Sequence, residues 1–598
     1  MRKNKTGLVV FLLLFPLFVS AQPAVEDQIS RVETFVFNGD FERAALLAER
    51  LYPDNKTNPR LYSLLRSVYL GLKEYGKLEK LIAEQLVLSP RNRTLRLDQL
   101  ELFLRQGVRD RAAEAATAYL ELTAKDTLSY ADVANRYLAA GYAEEAIKIY
   151  QTARKTLMRP ALFSSHLAET YRSLRRWREA LEEYLNWQYA EPANASILPR
   201  LTSLMNDLPT DDPDVGPFLD RQLAQKPSPL QYRLKGEWEL RRGNYDAALA
   251  AFAEADRRGS RDGSLLLELA RKTSAVLPEK MPALAAAFEK SHPQSPDLPQ
   301  LHFLLARAQI TLGQFPAARA TYQKILVSSP LAEDKIQAHF ELAQLMLDYV
   351  SRPESALIFL TKGGAETHPA LRQPTVVLKA RALAALDRFD EAREAFMQIS
   401  GRTARWGEEI HFLEAEWDFY FLKFDEAEKK YTALLDGFPR GERVNDALRR
   451  LALLKSRGKS KESPLSLFAV FLKDLAQFKE VEAATKLSGL EQTAPELAAE
   501  AFYNWGSYLL DRKRPSEAES VFVKIKTAYA KTPQAPLALE KLGELAEAAR
   551  RPEAAKSRYE AVLEQYPDAV NAEMVRGKLR RLLERFPEKN PKGPESKS

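Results

Sequence analysis

The stretch YADVANRYLAAGYAEEAIKIYQTARKT, residues 130–156, decides the fold of this chain. Gly141 separates two helical patterns, and the second pattern begins with two glutamates, where the helix dipole favours acidic side chains. Ala146 is small, and Tyr150 and Ala153 follow it on the same helical face. We therefore predict two helices that pack against each other, with Ala146 at the point where they cross.

Small residues recur every 34 positions on both sides of this unit, at Ala44, Leu78, Ala112, Ala146 and Ala180. One more period reaches Asp214 and the next reaches Ala248, so the phase continues through an irregular copy. A period of this length with helical patterning is typical of stacked two-helix units, none of which can bury its apolar face alone. The sequence therefore predicts an all-α solenoid, and solenoids of this kind mostly bind other proteins.

Further copies repeat the order glycine, aromatic, alanine, aromatic and proline, as in Gly243, Tyr245, Ala248 and Phe252, and in Gly313, Phe315, Ala318, Tyr322 and Pro330. This pattern resembles the tetratricopeptide repeat (TPR). The resemblance implies a right-handed α-α superhelical solenoid with a concave groove, built from about 15 TPR-like helix pairs between residue 25 and about residue 585.

The later copies contain phrases such as YTALLDGFPRGERVNDALRRLALL and YEAVLEQYPDAVNAEMVRGKLRRLLERFP. In each, a helix ends in an aromatic–proline pair and is followed by a loop and an alanine-rich helix. These phrases resemble the repeats of periplasmic envelope TPR proteins, such as the outer-membrane assembly lipoprotein and the Tol–Pal accessory protein. This chain differs from them in having a longer array and no cysteine to carry a lipid.

The first residues have the composition of a secretory signal peptide. Basic residues at positions 2, 3 and 5 precede an apolar run over 7–19 and a small-residue pattern that ends at Ala21. We predict cleavage after Ala21 in preference to retention as a membrane anchor. The chain has no cysteine, so it forms no disulfide, and an exported, helical, cysteine-free protein fits a Gram-negative periplasm.

Composition divides the chain into seven predicted segments: 1–21 signal peptide, 22–205 N-terminal TPR array, 206–229 distorted repeat and bend, 230–454 central TPR array, 455–464 linker, 465–585 C-terminal TPR array, and 586–598 disordered tail. The stretch 206–229 is rich in proline and aspartate, whereas 455–464 is polar, basic and contains glycine.

The sequence offers no constellation for catalysis, a cofactor or a metal. Its six histidines form no close ligand pair, and His302 and His411 share a packing position of the repeat. No glycine-rich phosphate loop and no nucleophile elbow occurs. Without the three basic residues of the leader, 85 basic residues face 81 acidic ones, which does not favour nucleic-acid binding. We expect no enzymatic activity, no cofactor and no small-molecule substrate.

One stretch is unusually aromatic: WGEEIHFLEAEWDFYFLKF, residues 406–424. In the repeat register, the positions that face the groove are occupied by Phe412, Glu416, Phe419 and Tyr420. Aromatic side chains anchor protein interfaces because they bury much area at a small entropy cost. These four residues are the candidate partner-binding site, and the alternative is that the rings fill the space between repeats.

Three functions follow, in order of preference. The first is an exported, non-enzymatic scaffold that holds segments of other cell-envelope proteins in its groove and reaches the membrane only through a partner. The second is a periplasmic holdase that binds many unfolded clients. The third is a wall-acting enzyme with a dispersed site, which is disfavoured because repeats occupy the whole chain.

Overall fold

The computed structural model describes residues 21–123, 126–259, 262–399, 404–457 and 459–586. The predicted signal peptide falls almost wholly outside these residues, since only Ala21 is included, and of the predicted tail only Phe586 is included. In the described part of the chain, no helix is both long and apolar enough to cross a bilayer.

The described residues form 32 α-helices and no β-strand. The helices are α1 (Ala21–Phe37), α2 (Phe41–Leu51), α3 (Pro59–Gly71), α4 (Tyr75–Leu88), α5 (Arg93–Gln106), α6 (Arg109–Leu122), α7 (Thr127–Ala139), α8 (Ala143–Thr156), α9 (Ser164–Ser173), α10 (Trp177–Ala190), α11 (Ile197–Asp207), α12 (Val215–Gln225), α13 (Pro229–Arg241), α14 (Tyr245–Arg258), α15 (Ser264–Thr273), α16 (Met281–Ser291), α17 (Leu298–Thr311), α18 (Phe315–Ser328), α19 (Ala332–Asp348), α20 (Pro353–Gly363), α21 (Arg372–Ala385), α22 (Phe389–Met397), α23 (Ala404–Tyr420), α24 (Phe424–Gly437), α25 (Val444–Arg457), α26 (Pro464–Ala476), α27 (Glu480–Thr493), α28 (Pro495–Asp511), α29 (Pro515–Ala528), α30 (Gln534–Ala548), α31 (Pro552–Gln565) and α32 (Ala572–Arg585).

Consecutive helices pack as hairpins throughout the described chain, with four exceptions: α11, α12, α25 and α32. The all-α solenoid of helix pairs predicted from the sequence is confirmed. Residues that set the 34-residue register are buried where the two helices of a hairpin cross. Ala44, Ala146 and Ala248, for example, are 0% exposed. Asp214 is different: it is exposed and lies just before α12, so this copy of the repeat is irregular.

The turn inside most hairpins contains a residue with positive φ, whereas the turn of α15–α16 contains none. Glycine fills the position in several copies, as at Gly107, Gly141 and Gly243, whereas Lys73 and Arg175 fill it in others. A side chain in this left-handed region costs about 1 kcal/mol or more, because its Cβ crowds the following carbonyl oxygen.

We expect Lys73→Gly to raise the free energy of unfolding by about 0.5–1 kcal/mol, because the exposed side chain at φ 58° is removed from a strained turn. The reciprocal change Gly141→Ala, at φ 84°, should lower it by a similar amount. Urea denaturation measures both, and equal stability of the two variants would show that the turns carry no strain.

Glycines in the first helix of three hairpins allow an aromatic ring of the second helix to approach. A Cβ on Gly236, Gly506 or Gly543 would lie 2.9, 2.7 or 2.3 Å from a ring atom of Phe252, Phe522 or Tyr559, respectively. The aromatic follows the small crossing residue by four positions in each case. The pattern of small and aromatic residues in the sequence therefore indicates this close contact between two helices.

Gly543→Ala should destabilise the C-terminal hairpin by about 1–3 kcal/mol, because the fully buried ring of Tyr559 has no space to withdraw. Gly577→Ala is the matched control in α32, where nothing lies within 4 Å of the new Cβ, and it should stabilise the helix slightly. Thermal denaturation distinguishes them, and similar effects of the two substitutions would refute the packing argument.

The chain divides into two compact units after Gln225, inside the predicted bend 206–229. Unit 1 contains α1–α12 and unit 2 contains α13–α32. In unit 2, α25 is a single helix between two hairpins, and it continues to Arg457, so it extends over the first three residues of the predicted linker 455–464. Helix α26 is apolar on most sides and packs against both α23 and α28.

Candidate binding site

Unit 2 contains a cavity of about 830 Å³. Its lining comes from seven helices and the turns that follow them: α19, α21, α23, α25, α26, α28 and α30. Apart from the single helix α25, each of these is the first helix of a hairpin. The first helices of successive hairpins thus form most of the cavity wall.

The four candidate residues do not share one environment. Phe412, Glu416 and Tyr420 line the cavity, with Phe412 only 8% exposed. Phe419 is 0% exposed and is not part of the lining; its ring centroid lies 5.3 Å from that of Phe424 and 6.3 Å from that of Phe468. Phe419 is therefore a packing residue between helices, and three of the four positions remain candidates.

Glu416 is the centre of a buried polar network. Arg450 Nε donates to its carboxylate over 2.8 Å, Tyr420 donates over 3.2 Å, and Tyr431 donates a further short bond. Glu416 and Arg450 are 4% and 6% exposed. Burial and the neighbouring carboxylate together raise the pKa of both tyrosines well above its usual value, so both phenols remain donors.

Arg450 connects three helices. Besides Glu416 on α23, it lies 3.7 Å from a carboxylate oxygen of Glu500 and donates to Asn504 over 3.4 Å, both on α28. Burial has the largest single influence on the pKa of Arg450 and would lower it, but the interactions with Glu416, Tyr431 and Glu500 together outweigh burial and raise it. One guanidinium thus links the single helix α25 to both α23 and α28.

The cavity lining is rich in cationic side chains. Seven basic and four acidic residues contribute to it. The basic residues are Arg381, Arg443, Arg449, Arg450, Arg512, Lys513 and Lys541, and the acidic residues are Asp348, Glu416, Asp446 and Asp511. Most of the cations have a carboxylate partner, as in Arg381 with Asp348 at 2.8 Å and Lys541 with Glu544 at 2.8 Å. The unpaired cations are Arg512 and Lys513, which have no salt bridge within the described residues.

Arg512 is the most unusual of these residues. It is 7% exposed, and its guanidinium carbon lies 4.3 Å from the ring centroid of Phe478 and 4.4 Å from that of Tyr508. Its Nη1 donates to the Asp348 carbonyl over 3.1 Å and to Ser351 Oγ over 2.8 Å, whereas its buried Nε has no hydrogen-bond partner. Burial lowers the pKa of Arg512.

Turns that are far apart in the sequence meet at one rim of the cavity. Asp387 accepts from Lys473 Nζ at 2.8 Å and from Gln477 Nε2 at 2.7 Å, and Arg512 reaches Ser351 as described above. The later hairpins of unit 2 thus return to the turns of earlier hairpins. The first helices line a half-open cavity there, which we call the chamber.

A second cavity of about 420 Å³ lies beside the first. The two share Tyr349 and Lys513, and the second extends the lining to α17 and α18. Glu341 lies on its wall and accepts from Arg307 and, over 2.7 Å, from Tyr322, which repeats the arrangement around Glu416. The polar interior of unit 2 therefore covers several consecutive hairpins.

The histidines occupy packing positions. His302 is 3% exposed and its Nε2 lies 2.7 Å from Glu289, while His411 Nδ1 lies 2.7 Å from the Gly407 carbonyl oxygen of its own helix. In the described ranges, no three His, Asp or Glu side chains are grouped so that they could hold a metal ion. The structure thus agrees with a packing role for these two histidines.

Sequence reasoning identified the aromatic stretch but missed the basic residues opposite it. Glu416 and Arg450 are 34 positions apart, so the repeat period contained a signal for their pairing. Arg512 had no such signal, because its contact with Ser351 joins residues 161 positions apart. The residues of the chamber come together only when the hairpins of unit 2 return on themselves.

The sequence model of the tetratricopeptide repeat matches residues 540–588. Among curated proteins, the chain has no significant match. Two solved structures are similar to this chain at 13% sequence identity. The first is the Naa15/Naa10 complex bound to HypK-THB, with a TM-score of 0.28 and an alignment that covers 94% of this chain and 92% of that chain. The second is the APC/C hetero-tetramer Cut9–Hcn1, with a TM-score of 0.21 and an alignment that covers 94% of this chain and 97% of that chain. The tetratricopeptide repeat is thus matched over residues 540–588, and the rest of the described chain is also built mainly from two-helix hairpins.

Proposed function

We propose that this chain is an exported, non-enzymatic scaffold that binds segments of other cell-envelope proteins on the first helices of unit 2. The observation that carries the binding role is the 830 Å³ chamber, which is lined by aromatic and charged side chains. Repeat solenoids use the surface formed by equivalent helices of successive repeats to bind extended partners. The export proposal is supported by the basic, apolar and small-residue order of residues 1–21.

The lining favours a scaffold over a general holdase. A holdase needs an open apolar surface for many unrelated clients, whereas this chamber carries eleven charged side chains. Charged groups in fixed positions select partners by complementarity, because a partner with the wrong charge leaves them unpaired. Specific binding of one or two partners is therefore the expected behaviour.

Capture from the source cells with a bulky substitution tests the proposal. Ser507 lines the chamber and is partly buried, so Ser507→Trp should fill part of the space without removing a core side chain. Ser520→Trp, on the exposed face of α29, is the matched control. We expect the tagged wild type and the control to retain one or two stoichiometric envelope proteins that Ser507→Trp loses.

Two results would count against the proposal. A broad set of unfolded clients, retained equally by all three proteins, would favour the holdase. Partners that come from outside the cell envelope, or a leader that remains uncleaved and cytoplasmic, would refute the export and envelope part while leaving the scaffold role intact. Circular dichroism of Ser507→Trp verifies that the variant is folded.

A further inference from the structure

We propose that the chamber of unit 2 receives a short acidic segment of the partner, whose carboxylates bind Arg512 and Arg449. This inference rests on the proposed scaffold function and names the chemistry of its ligand. It commits to a peptide segment that carries both acidic and apolar side chains.

Arg512 is the first observation behind it. A buried charge is costly unless it is paired, and Arg512 is 7% exposed without a carboxylate at salt-bridge distance in the described chain. Asp348 and Glu480 act on it only at longer range. Its contacts use Nη1 alone, and both acceptors, a backbone carbonyl and a hydroxyl, are neutral. Arginine is suited to bidentate pairing with a carboxylate, and the buried Nε has no partner for this.

Arg449 is the second, independent observation. Its guanidinium lies 5.3 Å from the ring centroid of Tyr503, its salt-bridge partner is Asp446 on the same helix, and the charge of Glu500 on α28 acts on it without a salt bridge. Its Nε is buried and has no hydrogen-bond partner. Lys513 and Lys541 also line the chamber, so four cations from α25, α30 and the turn after α28 face the same space.

The chamber also limits what the ligand can be. Its volume lies in the range of about 300–1,000 Å³ that is typical of sites for small ligands, so only a few side chains enter at once. Phe412, Trp417 and Tyr508 contribute aromatic wall between the charged groups. A segment in which acidic residues alternate with apolar residues therefore matches both the charge and the surface of the lining.

Asp511 opposes the cations and offers a test in the other direction. It lines the chamber, and its side chain is exposed to the solvent there. A ligand carboxylate near it would experience repulsion between like charges. Asp511→Asn should therefore strengthen binding of an acidic segment, an effect that loss of folding cannot imitate.

Fluorescence anisotropy with the full chain tests the inference. The probes are a labelled hexapeptide of alternating Glu and Phe and its counterpart with Gln in place of Glu. We expect the acidic peptide to bind about tenfold more tightly than the neutral one, with Arg449→Gln removing about tenfold of its affinity, since a hydrogen bond to a charged group contributes about 1.5–3 kcal/mol. Asp511→Asn should tighten binding, and Arg388→Gln, an exposed change outside the chamber, should leave it unaltered.

Arg512→Gln should weaken binding of the acidic peptide by a similar factor. Circular dichroism of this variant is recorded because the substitution also removes the contact of Arg512 with the turn at Ser351. If Arg512→Gln unfolds, the affinities of Arg449→Gln and Asp511→Asn for the acidic peptide decide the test. Equal affinity for both peptides, no binding of the acidic peptide, or no change in either deciding variant would overturn the inference. The capture experiment tests the scaffold function separately. If Ser507→Trp loses a stoichiometric partner but the peptide test fails, the acidic ligand is rejected and the scaffold function is retained.

Discussion

Replacing Glu416 with alanine should lower the free energy of unfolding of unit 2 by about 3–5 kcal/mol. The substitution leaves the 6% exposed Arg450 guanidinium without its principal counter-charge, and it removes the acceptor of Tyr420 and Tyr431. An uncompensated buried charge is more costly than the loss of the pair as a whole, because the desolvation of Arg450 remains. Differential scanning calorimetry of the full chain measures the effect as a lower melting temperature.

An exposed pair provides the control for Glu416→Ala. Glu391 pairs with Arg388, and both side chains are about half exposed, so Glu391→Ala should cost no more than about 1 kcal/mol. Glu416→Gln retains an acceptor oxygen and should be intermediate. If Glu416→Ala were as mild as Glu391→Ala, the network that links α25 to α23 and α28 would not be stabilising unit 2.

The second large effect is expected for Ala248→Asp. Ala248 is 0% exposed at the crossing of α13 and α14, where it packs among the apolar residues Phe252, Leu266 and Leu284. A carboxylate there would be buried without a partner, and we expect a loss of about 3 kcal/mol or more. Because a solenoid is stabilised by neighbouring repeats, the lesion should separate the melting of unit 1 from that of unit 2.

Ala247→Asp is the matched control, since Ala247 precedes it in the same helical turn and is exposed. It should be neutral or slightly stabilising, because an acidic residue near a helix N-terminus interacts favourably with the dipole. Calorimetry compares the two variants directly. Identical melting curves would show that the 34-residue register does not identify the helix crossings.

The fold was accessible from the sequence because its signals are local and repeated. The small residue at Ala146 and the aromatic at Tyr150 report contacts inside one hairpin, and such contacts recur with every copy. The irregular copy around Asp214 was also visible from its proline and aspartate content. The hairpin α26–α27 falls at the start of the predicted C-terminal array 465–585, although α26 is apolar on most sides and lacks the alternation of a surface helix.

The binding site was accessible only in part, for a different physical reason. The aromatic stretch around Glu416 and Tyr420 is recognisable by composition alone, and both residues line the chamber. Arg512 is recognisable only from tertiary contacts, since it becomes important where a late turn meets an early one. For Phe419 the sequence prediction was misleading. Its position in the repeat is one that faces the groove, but helix α26 packs over it and places Phe468 against its ring.

Site-specific photo-crosslinking in the source cells tests the central claim, that the chamber of unit 2 is where a partner binds. A photoreactive amino acid is placed at Ser507 in the chamber and, separately, at Ser520 on the exposed face of α29. The account predicts that Ser507 forms a crosslink to one or two envelope proteins through an acidic segment, and that Ser520 forms none with them. Equal crosslinking from both positions, or a partner that crosslinks only at Ser520, would contradict it.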